Sequence, residues 1–166
     1  MGYKNLDLKT DASIYYKLVD GVNRCRIVSE AIPVWTAFNR TEKTARKYLD
    51  EAQAHDDPEA KKRYALWVID RNDGKTKLAE WGMSIMKQIQ TLALDKDYEF
   101  DTIPSYDIKI TRSGVGMDTE YTVTPSPIMP LTEEEKMKVL NVENVFSFMK
   151  KQPGVMPPPS SDAPPF

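Results

Sequence analysis

The side chains in this sequence whose types and spacing suggest chemistry are rings and cations. Between residues 64 and 81, two short runs of alternating character flank Asn72-Asp73-Gly74, a turn signal between strands. Successive side chains on a strand point to opposite faces, so Leu66, Val68 and Leu78 are expected on a core face. Trp67, Ile69 and Arg71 fall on the other face, joined by Lys75, Lys77 and Trp81 if the second run keeps step. Two indoles beside cations on a wet sheet face would offer planes on which bases stack and charges for phosphates. The competing reading is that one or both indoles pack beneath a neighbouring loop, the commoner fate of tryptophan.

Bond-breaking chemistry finds little support. His55 is the only histidine, in a polar stretch that suits a solvated side chain. No G-x-S-x-G or P-loop pattern occurs. Gly114-Val115-Gly116 lacks the third glycine of a dinucleotide fingerprint and joins two expected strands instead of a strand and a helix. Residues 95–106 fail as a calcium loop: Phe100 stands at the sixth position, where glycine is required, and Tyr106 at the twelfth, where glutamate is required. The lone Cys25 excludes an internal disulfide and most zinc sites, and fits a reducing cytoplasm. The expectation is a protein that is not an enzyme, with no metal and no cofactor.

The elements that must position the rings follow from the patterning of 166 residues, 40% hydrophobic and 29% charged, which suits one ordinary domain with additions. Net charge is −2, so any basic surface must be local. No apolar run approaches the ~18 residues of a membrane span, so no membrane partner is expected. Residues 1–20 read as an arm that docks at Tyr15-Tyr16. Residues 22–28 alternate as a strand, with Cys25 and Ile27 inward and Arg24 and Arg26 outward. Residues 31–38 follow, with Pro33 breaking the ladder and Trp35 and Phe38 three apart. From 41 to 63, Ala45, Leu49 and Ala52 recur at helical spacing, and a helical insertion is expected there. Its cations Arg40, Lys43, Arg46, Lys47, Lys61, Lys62 and Arg63 have a solvated helix face as their default explanation, with phosphate contact as the alternative.

After the first hairpin, Ile85, Ile89 and Leu92 predict a helix over 82–94 packed on the sheet. A second hairpin spans 106–125 and turns at 113–118. Thr132 and Glu135 form a capping box that opens helix or helices within 132–150, with Asn141 a possible point of division. From 151 to 166 proline dominates and apolar content is too low for folding, so a flexible tail is expected.

Strand, insertion, strand, strand, helix, strand, strand is the order of an OB-fold. The fold class expected is mainly β with helical additions (α+β): a five-stranded OB barrel over 21–150, with the helical insertion between its first and second strands and a disordered C-terminal tail. At residues 23–28, 67–71 and 106–125 the chain resembles the single-stranded DNA-binding proteins of tailed bacteriophages. The final Ser-Ser-Asp-Ala-Pro-Pro-Phe is similar to the tail tip of bacterial and phage members, which typically ends in acidic residues followed by Pro-Phe. Some members carry a zinc cluster of Cys and His, for which this sequence offers only Cys25 and His55.

The resemblance implies sequence-independent binding of single-stranded DNA in replication, recombination or repair, in a host-cell cytoplasm. Trp67 and Trp81 are the first stacking candidates; Trp35, Phe38 and Tyr64 are others that a core could equally claim. Arg24, Arg26, Arg40, Arg71, Lys75, Lys77, Lys109 and Arg112 are the phosphate candidates. Asp162, Pro164, Pro165 and Phe166 would recruit a replication or recombination protein. An RNA-binding OB module and a protein-interaction module that regulates a polymerase are the rival functions.

Overall fold

The computed structural model describes residues 14–39, 41 and 44–156. In chain order the elements are β1 (Gly21–Ile27), β2 (Ile32–Asn39), β3 (Thr44–Tyr48), α1 (Glu51–His55), β4 (Lys61–Asp70), β5 (Thr76–Trp81), α2 (Met83–Leu94), β6 (Tyr106–Ser113), β7 (Glu120–Ile128), α3 (Glu133–Asn141), α4 (Val145–Lys150) and β8 (Val155–Met156). The sheet runs β7-β6-β1-β4-β2-β3-β8, with β5 also paired to β4.

β4 is the hub. One of its edges takes β2 along 61–65 and then β1 along 68–70, so β1 and β2 act as successive halves of one bent strand. Its other edge takes β5 along 64–69. The hairpin between them turns as its sequence requires. Gly74 sits at φ 72 and donates its N–H to the Asp70 carbonyl at 2.7 Å, while the Asp70 and Asp73 carboxylates accept the N–H groups of Asn72 and Lys75.

The pairing register of this hairpin corrects the expected faces. Trp67 lies opposite Leu78, Tyr64 opposite Trp81 and Val68 opposite Lys77. Odd positions on β4 therefore meet even positions on β5, and the second run does not keep step with the first. A slip of one residue moves every side chain of a strand to the other face. Trp81 thus joins Leu66, Val68 and Ala79 in the main core, with Ile27, Ile85, Ile108 and Ile110. Cys25 belongs there too, and burial pushes its thiol up to about 12, which makes it a packing group and no nucleophile.

Trp67 does lie on the opposite face, but that face is not wet. α4 lays Val145 and Met149 over Trp67, Ile69, Leu78 and Val34 as a second core. The Trp67 indole N–H donates to the Glu143 carbonyl at 2.6 Å, and its ring meets Phe148 edge-on at 4.8 Å. Both faces of β4 are consequently buried from Ala65 to Asp70.

Three further expectations change. The expected helical insertion at 41–63 is instead largely strand: β3 pairs antiparallel with β2, and among the described residues of this stretch only Glu51–His55 is helical. Arg46 and Tyr48 share a face with Trp35 while Lys47 faces the other way, ion-paired with Glu80, so the segment satisfies a strand period through contacts that local sequence does not contain. β2 runs through Pro33, which stands opposite Tyr64 and costs the ladder one donor. Order also extends past residue 150, because Val155 and Met156 pair in parallel with Lys47 and Tyr48 of β3.

The result is an open, mixed sheet of eight strands in a mainly β protein with a few helices. Among the described residues no ladder joins β5 to β7. A side chain spans the seam: Gln88 of α2 donates to the Tyr121 carbonyl and accepts from the Val123 N–H, both at 2.8 Å. Beyond it, the Tyr16 N–H and the Ile14 carbonyl bond to Leu78, so the arm lies along the free edge of β5.

Candidate functional site

The expected basic face of β1 exists, but much of it is neutralised from within. Arg26 points away from the main core as its alternation requires, yet it is 2% exposed and ion-paired with Asp107 at 3.5 Å. Arg71 makes a two-pronged contact with Asp107, at 3.0 Å on each side, and an ion pair with Glu135. Lys77 is held by Asp70 at 2.7 Å and Asp73 at 2.8 Å. Arg26, Arg71 and Lys77 are thus structural cations, a correction with a simple cause. Acids of the β4–β5 hairpin (Asp70, Asp73), of β6 (Asp107) and of α3 (Glu135) neutralise them before any phosphate can.

α3 is the lid on this end. Thr132 accepts the Glu135 N–H at 3.1 Å, and the Glu135 carboxylate accepts the Thr132 N–H at 3.0 Å, which is the expected capping box. Lys138 donates to the Gly74 carbonyl at 2.8 Å and ties the helix to the β4–β5 turn. Burial pushes the Glu135 carboxyl up, but the Thr132 N–H and Arg71 outweigh it and hold the group below its ordinary value. A depressed carboxyl contributes stability that is complete above the unfolded value of about 4.3 and lost as pH falls through the folded one. The thermal midpoint should therefore drop on acidification below about pH 4, and Glu135→Gln should blunt that drop. An identical acid profile in the variant would show that the Arg71 contact carries no pH dependence.

Rings and unpaired cations meet instead where β2, β3 and the first half of β4 extend past the main core. Trp35 stands opposite Lys62, and Pro33 opposite Tyr64, so Trp35, Lys62 and Tyr64 share one face. The Lys62 ammonium lies 5.7 Å from the Trp35 ring centre and 5.5 Å from that of Tyr64. Both rings are half-buried, which fixes them while leaving part of each plane open. On the reverse face Phe38 is 55% exposed and borders a groove of about 620 Å³ with Lys61 and Arg63. Lys61 and Lys62 are exposed and form no ion pair among the described residues.

The remaining expected residues are scattered. Arg24 and Lys75 are exposed at the α3 end, Lys109 is half-exposed on β6, and Arg112 lies in the seam between β5 and β7. Arg40 and the tail residues Asp162, Pro164, Pro165 and Phe166 lie outside the described residues. The sequence reading of Lys61, Lys62 and Arg63 prefers a solvated helical face to phosphate contact. Their signal was present: Lys62 and Tyr64 are two apart, which on a strand places cation and ring on one face.

Strand topology and surface together define a mainly β protein that presents fixed aromatic rings and unpaired cations on one extension of its sheet. Part of the chain is similar to the "Probable ssDNA-binding protein" of Escherichia phage T5, with 30% identity over 66% of this chain and 53% of that protein. The chain thus spans about half the length of this relative. No protein-family model and no solved structure matches it. No helix among the described residues is long and apolar enough to cross a membrane.

Proposed function

We propose that this chain binds single-stranded DNA without sequence preference and without catalysis, in phage-type replication, recombination or repair in the host cytoplasm. The observation that carries the reading is the Trp35–Lys62–Tyr64 face, where two rings flank one cation within 5.7 Å of each. Every base has a π-face, so such a surface accepts any sequence, while Lys61, Lys62 and Arg63 meet phosphates. The name of the phage T5 relative supports the same function. The order of β1–β2, β4, β5, α2, β6 and β7 is that of an OB barrel whose last closure passes through Gln88, and we read the fold in that way. Recruitment of replication or recombination proteins through Asp162, Pro164, Pro165 and Phe166 belongs to the same proposal.

The deciding experiment is a titration with oligothymidine and with duplex DNA of equal length at several salt concentrations. With about three or four phosphates neutralised, log K should fall with log salt with a slope of roughly −2 to −3 for the single strand. Duplex should bind more weakly, since its bases are not free to stack. A slope near zero, or tighter binding of duplex, would defeat the reading.

A further inference from the structure

The seam between β5 and β7 borders a cavity of about 390 Å³, whose wall carries three cations, Lys17, Arg63 and Arg112, against one carboxylate, Glu80. α2 begins there. Its N-cap is Gly82, which has no side chain to cap with, and its first turn contains no acid. The first N–H of the helix to reach a carbonyl within it is that of Met86, bonded to Gly82 at 3.2 Å. The N–H groups of Met83, Ser84 and Ile85 are therefore presented outward with the positive end of the helix dipole. Immediately before them Trp81, 1% exposed, stands on the cavity wall, and its buried indole N–H has no acceptor among the described residues. Buried donors are rarely left unpaired in native proteins, and this one asks for a partner.

Cations close the cavity from three elements. Arg63 reaches in from β4 and Arg112 from β6. Arg63 donates one Nη to the Glu80 carbonyl at 2.8 Å and Arg112 one to the Leu18 carbonyl at 3.4 Å, but among the described residues the buried Nε of each has no partner and neither side chain forms an ion pair. Lys17 from the arm is the third. The one carboxylate on the wall, Glu80, is ion-paired with Lys47.

We propose that this seam cavity is an anion site that holds a phosphate group of the bound single strand, a role that rests on the function proposed above. The phosphate oxygens accept from the α2 N–H groups and the Trp81 indole, while Arg63, Arg112 and Lys17 balance the charge. Arg63 also borders the Phe38 groove, so one side chain connects the two sites. The same chemistry would take a phosphate within a strand or one at its end.

The indole N–H resonances of ¹⁵N-tryptophan-labelled protein read the site directly, with Trp67, bonded to Glu143, as internal control. The probes are inorganic phosphate and oligothymidine with and without a 5′-phosphate. Phosphate and oligonucleotide should each move the Trp81 resonance and leave Trp67 in place. Response to both oligonucleotides assigns an internal phosphate, and response to the 5′-phosphorylated one alone assigns the strand end. Ser84→Glu should abolish these shifts yet raise the thermal midpoint, because an acid in the first turn of a helix stabilises it. Those opposite signs separate lost binding from damage. Arg112→Gln should flatten the salt slope by about 0.7.

A Trp81 resonance that ignores both probes while oligonucleotide still binds overturns the anion site and leaves the DNA-binding reading intact. Shifts that persist undiminished in Ser84→Glu also overturn it. A shift with inorganic phosphate in a protein that binds no oligonucleotide keeps the anion site, removes the strand as its source, and defeats the proposed function instead.

Discussion

Removing both the Trp35 and Tyr64 rings is expected to weaken binding of single-stranded DNA by thirty-fold or more while the protein stays folded. Each base–aromatic contact is worth ~1–3 kcal/mol, and two lost together amount to at least about 2 kcal/mol. The rings are half-buried at the edge of the fold, so Trp35→Ala and Tyr64→Ala leave both cores intact. The optical signal should follow the same logic. Trp67 and Trp81 are 4% and 1% exposed, so quenching of tryptophan emission by oligothymidine should come from Trp35. Trp35→Phe should therefore keep most of the affinity and lose most of the quenching. A folded double-alanine variant that binds as tightly as the parent would move the site away from this face.

Trp81→Ala and Trp67→Ala should act in the opposite way, through stability. Truncating a buried tryptophan costs ~3–5 kcal/mol, against a total of about 5–15 kcal/mol for a domain of ordinary stability. Trp67→Ala in addition leaves the Glu143 carbonyl without its indole donor and removes the ring against which Phe148 packs. Urea denaturation should show midpoints far below the parent's for either variant. In conditions where the variants remain folded, Trp67→Ala should bind oligothymidine with unchanged affinity. Selective loss of affinity without loss of stability would contradict the burial described here.

How far the sequence could be read depended on the range of the interactions. Local signals were legible: the Asn72-Asp73-Gly74 turn, the second hairpin, the α2 stripe of Ile85 and Ile89, and the Thr132–Glu135 capping box all formed as their chemistry dictates. Long-range facts were not. Alternation through 64–71 places Trp67 on the face opposite Leu66, but nothing nearby says that Glu143, 76 residues away, and the α4 helix just after it would cover the ring. A hint was available in Ile69, since a face that also carries an isoleucine reads more naturally as buried.

The hairpin faces failed for a different reason. The pairing register depends on how many residues the turn consumes, and one residue of difference carried Trp81 inside. For Thr44–Tyr48, spacing fitted a helix while the free edge of β2 supplied a strand partner, and pairing prevailed. The proposed stacking pair Trp35 and Tyr64 was legible as a set of candidates, but its geometry was not, because the two rings are brought together by the ladder between β2 and β4.

The double burial of β4 has a consequence for the unfolded chain. Ala-Leu-Trp-Val-Ile at 65–69 is an uncharged, strongly β-forming window, the composition from which intermolecular cross-β stacks grow. In the native protein its two edges are occupied by β1–β2 and β5, so it offers no free template. On the ribosome or after denaturation that protection is gone, and the charges at its borders must serve. Lys61, Lys62 and Arg63 stand on one side, Asp70 and Arg71 on the other, as gatekeepers against self-association. The cations proposed to hold a nucleic acid strand thus also keep this chain apart from its own copies before it has folded.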